Sequence, residues 1–215
     1  MMLHNCPLCS SKKTQLYYTD DTRQYHACSA CEFIFVPSVF HLNESEEKAR
    51  YVLHRNDPND VNYRRFLSQV AEPLFQRLPK EAEGLDFGCG PGPTLSIMLK
   101  EQGYKVDLFD KFFAKNDKVF NRQYDFITAT EVLEHLSHPL RELNRLYSML
   151  NPGGILGVMT EMVPNNTSFS DWYYKNDPSH IGFYNRTSLQ QLTGTWCAKV
   201  EILSSRVALI TKNEI

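Results

Sequence analysis

The run Gly84-Leu85-Asp86-Phe87-Gly88-Cys89-Gly90-Pro91-Gly92 constrains the fold of this chain more than any other stretch of it. Leu85 to Phe87 reads as a short buried strand and Thr94 to Glu101 as the helix that follows. Glycines between the two permit a sharp turn and a close backbone approach to a ligand beside a helix amino terminus. Strand, glycine turn and helix in that order open a parallel α/β sheet. Two ligand classes use such a loop. A dinucleotide site wants Gly or Ala five residues after its first glycine, where this chain has Pro93. Asp86, two residues before the first glycine, has no evident role facing a pyrophosphate and suits a cationic amino group.

Asp86-x-Gly88-x-Gly90-x-Gly92 resembles the first motif of class I S-adenosylmethionine-dependent methyltransferases, and further segments follow in that family's order. Val106 to Phe109 reads as a second strand ending at Asp110. Tyr124 to Thr130 reads as another, ahead of Glu131-Val132-Leu133-Glu134-His135-Leu136, and Leu150-Asn151-Pro152-Gly153-Gly154 leads into a strand from Ile155 to Met159. The resemblance covers residues 80 to 211. It implies an α/β, Rossmann-like fold: a mostly parallel open sheet flanked by helices. It also implies S-adenosylmethionine as cofactor, with Asp86, Gly88, Cys89, Gly90, Gly92, Asp110 and Thr130 around it and Asp110 at the ribose hydroxyls. Only thirteen residues separate Asp110 from Tyr124, too few for a helix plus a strand in a right-handed crossover. The third strand is therefore expected to be shortened or missing, leaving Phe112, Phe113 and Asn121 to Gln123 to cover the adenine.

Cys6-Pro7-Leu8-Cys9 and Cys28-Ser29-Ala30-Cys31 are two C-x-x-C pairs separated by eighteen residues. Each tight turn aims two sulfurs at one point, and together the pairs make a tetrahedral thiolate site for structural zinc. Tyr17, Tyr18 and Tyr25 flank a polar turn and suggest a hairpin, and Phe33 to Val36 suggests another strand. The whole resembles a zinc ribbon. Cys89 and Cys197 are left over and read as plain buried residues. The expected organisation is a zinc ribbon over 1–40, a helical connector over 41–80 and the methyltransferase domain over 81–215. In the connector, helices are expected from Glu44 to Leu53, capped near Asn43 or Ser45, and from Asp60 onward. Tyr51, His54 and Tyr63 are candidates to overhang the cofactor. The tail reads as a helix over Thr187 to Leu192 and two antiparallel strands, Ala198 to Leu203 and Arg206 to Thr211.

The chemistry is expected at the carboxyl ends of the strands. Glu131, Glu134 and His135 stand at i, i+3 and i+4 and would share one face of a helix. One reading is structural: Glu131 serves the helix dipole and His135 packs. Another follows from a resemblance of Glu-x-x-Glu-His to the divalent-metal site of ubiquinone-pathway O-methyltransferases and small-RNA 2′-O-methyltransferases, with His180 completing the shell. A third follows from Asp177 to Tyr184, which resembles the histidine-aromatic segment of zinc-containing sugar C-methyltransferases. It implies His180 as base, Tyr184 orienting the acceptor, and Trp172, Tyr173, Tyr174 and Phe183 as pocket wall. His180, Glu131, His135 and Tyr184 are accordingly the catalytic candidates.

A net charge of −2 and a pI near 6.4 give no footprint for gripping nucleic acid, so a small-molecule acceptor, methylated on oxygen or carbon, is expected. The alternatives are an RNA methyltransferase whose ribbon grips its substrate, or a regulatory protein that keeps the cofactor without catalysis. No apolar run with a basic flank opens the sequence and none is long enough to span a bilayer, so a cytoplasmic protein with reduced cysteines and no membrane partner is expected. The acceptor and the oligomeric state stay open.

Overall fold

The computed structural model describes residues 4–53, 56–164, 167–196 and 198–214. Three short strands come first: β1 (Thr14–Thr19), β2 (Gln24–Cys28) and β3 (Ile34–Phe35). Two helices follow. α1 (Glu44–Tyr51) begins in a capping box, the Asn43 side chain accepting from Ser45 and Glu46 amides while Glu46 accepts from the Asn43 amide. α2 (Val61–Phe75) is capped by Asp60 and buries Leu67, Val70, Ala71 and Leu74. The Asn43 cap and the start of α2 beside Asp60 agree with the sequence reading, because side-chain acceptors of the first helical amides are local signals.

Then the chain alternates: β4 (Glu83–Phe87), α3 (Thr94–Glu101), β5 (Lys105–Phe109), β6 (Tyr124–Thr130), α4 (Pro139–Ser148) and β7 (Leu150–Met159). β8 (Gly182–Phe183), α5 (Arg186–Trp196), β9 (Lys199–Ile202) and β10 (Val207–Thr211) complete it. The main sheet has the order β5-β4-β6-β7-β10-β9, its first four strands parallel, β10 antiparallel to β7 and β9 antiparallel to β10. This is the expected Rossmann-like architecture. β5 forms the edge, so the third strand is indeed missing; Asp110 to Asn121 holds only a bridge to Ala114 and a 3-10 turn.

Alternation along β6 sends Phe126 toward α2 and α3, and Ile127 and Ala129 toward the α4 face. Gly84 on β4 faces the Phe126 ring, which occupies the space a β-carbon would need. Gly84→Ala is therefore expected to cost about 2–3 kcal/mol and to lower Tm by roughly 5–10 °C. Thermal denaturation followed by circular dichroism checks this; a change under about 2 °C would show that the ring relocates freely.

β7 starts earlier than the sequence suggests. Leu150 pairs with Tyr124 and Ile155 with Phe126, so Asn151–Gly154 loops out of the ladder as a bulge inside one strand. The tail helix runs longer than expected, to Trp196. Among the described residues no helix is long and apolar enough to cross a membrane.

A second sheet, β1-β2-β3-β8, contains the cysteine unit, and its last strand comes from about 150 residues further along the chain. Phe183 pairs with Ile34 and Gly182 with Phe35. The unit is thereby stitched to the segment that follows β7.

Candidate active site

β5 and β6 flank β4 on opposite sides, so the chain leaves β4 in one direction and returns on the other. A crevice opens at that switch point, beyond the carboxyl ends of the parallel strands. The cleft there has a volume of about 960 Å³. Gly88, Cys89, Gly90, Gly92, Asp86, Asp110 and Thr130 all line it, as do Glu131, His135 and His180.

The glycine loop turns through left-handed backbone at Gly88 (φ 76°) and Gly90 (φ 65°). Gly92 is different: its missing side chain makes room for the carbonyl of Asn56, which accepts from the Thr94 hydroxyl at 3.0 Å. The connector thus lies directly on the loop. Asp110 spends its carboxylate on backbone amides, one oxygen accepting from Gly90 at 3.0 Å and the other from Phe112 and Phe113 at 2.8 and 3.0 Å. It ties the glycine loop to the turn after β5.

Asp86 is buried, and one of its oxygens accepts from the Thr128 hydroxyl at 2.9 Å. The other has no hydrogen-bond partner among the described residues. Burial pushes this carboxyl up to about 6, with the nearby Asp110 charge adding to the shift against the Thr128 bond. A buried oxygen without a partner beside the cleft is what a bound ammonium group would satisfy.

Across the cleft, the Glu131–His135 stretch is not helical as the sequence suggests. β6 runs into Glu131 in left-handed backbone (φ 52°), then into a single 3-10 turn, Leu133–His135. The spacing that would align Glu131, Glu134 and His135 on one face does not apply. Instead Glu134 and His135 meet His180, their ligand atoms all within 4.8 Å of one another. Glu134 is fully buried; among the described residues neither oxygen is hydrogen-bonded, and Oε1 lies 3.8 Å from His135 Nε2. His135 donates Nδ1–H to the Ser179 carbonyl at 2.9 Å, and His180 donates Nδ1–H to the Tyr174 carbonyl at 2.7 Å. A carbonyl can only accept, so in the neutral form each ring presents Nε2 as its acceptor nitrogen. Burial pushes the His180 pKa down, favouring the neutral imidazole, against the pull of the Glu134 charge.

Glu131 stands beside this cluster. It accepts from the Tyr174 hydroxyl at 3.1 Å and lies 3.7 Å from Arg206. Burial, then the Glu134 charge, pushes its carboxyl up to about 8. Arg206 also pairs with Glu161 and the Tyr173 hydroxyl. Arg50 and Asp177 form a two-pronged pair (3.0 and 2.7 Å) across the opening, and Lys111 reaches Glu47 at 2.6 Å. Burial alone would raise the Asp177 carboxyl, but Arg50 and Ser179 hold it well below the usual range.

Several expected positions move. Tyr184 is fully buried away from the cleft, its hydroxyl donating to the Leu133 carbonyl at 3.3 Å. Pairing of β8 with β3 sends Phe183 into an aromatic core with Tyr25, Ile34 and Phe169, and Tyr184 to the opposite side, against Phe33 in the cluster that holds the cysteines. Trp172 joins Phe183 in that core, while Tyr173 and Tyr174 do line the cleft. Of the proposed adenine cover, Phe113 reaches the cleft and Phe112 does not line it. Arg122 bonds Asp107 and Glu83 at the opposite rim of the sheet. Tyr51 and Tyr63 line the cleft; His54 and Cys197 lie outside the described residues. Glu134, Arg206 and Arg50 are charged groups of the site absent from the catalytic candidates. Only Glu134 has a signal in the sequence, its place in Glu-x-x-Glu-His.

The four cysteines converge, with Cys6–Cys31 and Cys9–Cys28 sulfurs each 3.6 Å apart. A tetrahedron with Zn–S bonds of about 2.3 Å has edges of about 3.8 Å, close to this spacing. The hydrogen bond from Cys31 pulls the Cys6 thiol down to about 6, whereas burial pushes Cys9 up to about 11.

The methyltransferase-domain family model matches residues 60–194. A ubiquinone biosynthesis O-methyltransferase of Histophilus somni is 29% identical over 93 residues, 41% of this chain and 37% of that protein. Its counterpart in Marinobacter nauticus is 34% identical over 79 residues, 36% of this chain and 33% of that one. The match thus spans little more than a third of these relatives' length. Among solved structures, the Burkholderia thailandensis 1,6-didemethyltoxoflavin-N1-methyltransferase superposes with TM-score 0.55 at 16% identity, covering 93% of this chain and 99% of that one. A putative sarcosine dimethylglycine methyltransferase from Galdieria sulphuraria gives TM-score 0.57 at 15% identity, covering 74% of each. At such identities the likeness is one of fold.

Proposed function

The chain belongs to the methyltransferase-domain family, and from that premise we propose that it transfers a methyl group from S-adenosylmethionine to a hydroxyl oxygen of a small-molecule acceptor. The observation that carries the oxygen assignment is Glu134: a buried carboxyl without a hydrogen bond among the described residues, its ligand atoms within 4.8 Å of those of His135 and His180, whose neutral rings present Nε2. Such a carboxylate costs several kcal/mol unless a cation meets it. Glu134, His135 and His180 would hold a divalent metal, which would lower the pKa of the acceptor hydroxyl. Glu131, beside them, is placed to take the departing proton. A second reading rests on the His180 tautomer: with no metal, Nε2 accepts the acceptor's proton directly. Loss of divalent-metal binding in Glu134→Gln separates the two.

The cofactor, when bound, supplies a sulfonium methyl open to in-line displacement. Asp86 would receive its amino group and the amides of the Gly88–Gly92 loop would line it. Asp110 would hold the loop in shape and offer its remaining lone pair to a ribose hydroxyl. A volume of about 960 Å³ lies at the upper end of the roughly 300–1,000 Å³ typical of a single-ligand pocket. That is room for the cofactor together with a small acceptor. We read the four cysteines as a structural zinc site, since a closed four-sulfur shell leaves no position for chemistry.

Calorimetry tests the cofactor reading. S-adenosylhomocysteine should bind and NAD should not. The Asp86 carboxyl sits at about 6, so affinity should be about tenfold weaker at pH 5 than at pH 7, as protonation removes the ammonium's partner. Asp86→Asn should bind weakly at both. Binding of NAD in place of S-adenosylhomocysteine would overturn the reading.

A further inference from the structure

Arg23 lies in the cysteine unit, just before β2, and does not line the cleft. Even so it is 6% exposed, and all five of its N–H donors are used. Nε donates to the Tyr25 hydroxyl at 2.8 Å. Nη1 donates to the carbonyls of Pro178 and His180, both at 3.0 Å, and Nη2 to those of Asp177 at 2.9 Å and Lys175. The guanidinium itself is fixed by its surroundings: Asp20 accepts from the Arg23 amide and from the Tyr25 hydroxyl, closing a ring of bonds around the turn.

The segment it grips, 175–180, carries only a short 3-10 turn at its start, so its carbonyls need partners from elsewhere. That segment sets the His180 ring, because the ring's own anchor is the Tyr174 carbonyl at its head. At its other end Ile181 is pinned on both sides: its amide donates to the Glu134 carbonyl at 2.8 Å and its carbonyl accepts from Val36 at 2.9 Å. Four carbonyls and no carboxylate are engaged, so the contribution of Arg23 to this loop is the geometry of its fork rather than charge neutralisation.

We propose that Arg23 is a positioning residue for His180, through which the four-cysteine unit holds the 175–180 loop in the shape the site requires. The proposal rests on the reading of His180 as a site residue. The cysteine unit thereby shapes one wall of the active site from behind.

The test uses the full zinc-loaded chain with Arg23→Ala and Arg23→Lys. Three quantities are measured: hydrogen exchange over residues 175–181, the His180 Nδ1–H proton resonance, and S-adenosylhomocysteine affinity by calorimetry. In both variants exchange in the loop should quicken by at least roughly tenfold and the imidazole proton should be lost to solvent exchange. Zinc content and S-adenosylhomocysteine affinity should hold. Added guanidinium should restore both loop signals in Arg23→Ala, since it returns the planar donors without the tether. Three results would overturn the proposal: unchanged loop signals, full restoration by Lys, or loss of zinc and of S-adenosylhomocysteine binding without guanidinium rescue. A wild-type chain that fails to bind S-adenosylhomocysteine overturns the methyltransferase reading instead, and the loop signals still report on Arg23.

Discussion

On the proposed reading of the four cysteines as a zinc site, removing the metal, or replacing Cys28 with Ser, is expected to unfold the β1–β2–β3 unit and free β8 while the six-stranded sheet stays folded. Cys6, Cys28 and Cys31 are all but inaccessible and belong, with Leu8, Phe33 and Phe35, to the same buried cluster as the α4 face of the main sheet; the cysteine unit's own part of it is too small to persist alone. Structural zinc in units of this size contributes about 10–16 kcal/mol at neutral pH, so its loss removes the whole unit. The damage should stop at a definable line. Tyr25, Phe169, Trp172 and Phe183 form one aromatic cluster across the junction, and Trp172 should become exposed with it. Trp196, stacked on Tyr147 at 4.5 Å, sits with α4 and should not change. The chain has only these two tryptophans, so a partial red shift of fluorescence on chelation, absent in Trp172→Phe, reads the event directly. S-adenosylhomocysteine affinity should change less than about threefold, because Asp86 and Asp110 are set by the main sheet. A purified chain with no bound zinc and the same Trp172 emission before and after chelator would overturn the zinc assignment.

This division between a legible main sheet and a less legible junction follows from the range of the signals. The β4–loop–α3 unit, the Asn43 cap, the start of α2 beside Asp60 and the missing third strand each depend on residues within about fifteen positions, and all appear in the structure where local pattern places them. Tyr184 fails as an acceptor contact because its direction is set by pairing between Phe183 and Ile34, which nothing local announces. Arg122 fails as adenine cover for a related reason: Asp107 and Glu83 draw it to the amino-terminal rim of the sheet. A helical period would put Glu131 on one face with Glu134 and His135, yet a single left-handed residue ends the strand and breaks that period. His135 and His180 do come together, since each lies on a loop leaving the carboxyl end of a parallel strand. Arg23 carries no signal at all, because its partners are backbone carbonyls more than 150 residues away.

Glu134→Gln is expected to raise the stability of the metal-free chain while removing its response to divalent cations. In the wild type the Glu134 carboxylate is buried without a hydrogen bond among the described residues and faces Glu131, whose carboxyl burial and that charge push up to about 8. Replacing Glu134 by a neutral amide removes this push, for a gain on the order of 1–3 kcal/mol where Glu131 would otherwise be ionised, at about pH 8 and above. Added Mn²⁺ should stabilise the wild type by about 2.7 kcal/mol at a hundredfold excess over Kd, and should leave Glu134→Gln unmoved. The pH dependence has a fixed sign. Glu131 has a folded pKa above its unfolded one, so its contribution is most favourable below about 4.5 and is lost as pH rises through about 8. Metal-free wild type should therefore lose stability between about pH 4.5 and 8 and level off above that, and Glu131→Gln should flatten that slope. The cation, whose charge would favour the ionised form of neighbouring Glu131, should stabilise more at pH 8 than at pH 6. Thermal denaturation with the zinc site kept loaded measures all of this. Equal Mn²⁺ stabilisation of wild type and Glu134→Gln would place the cation elsewhere and leave His180 as the base acting alone.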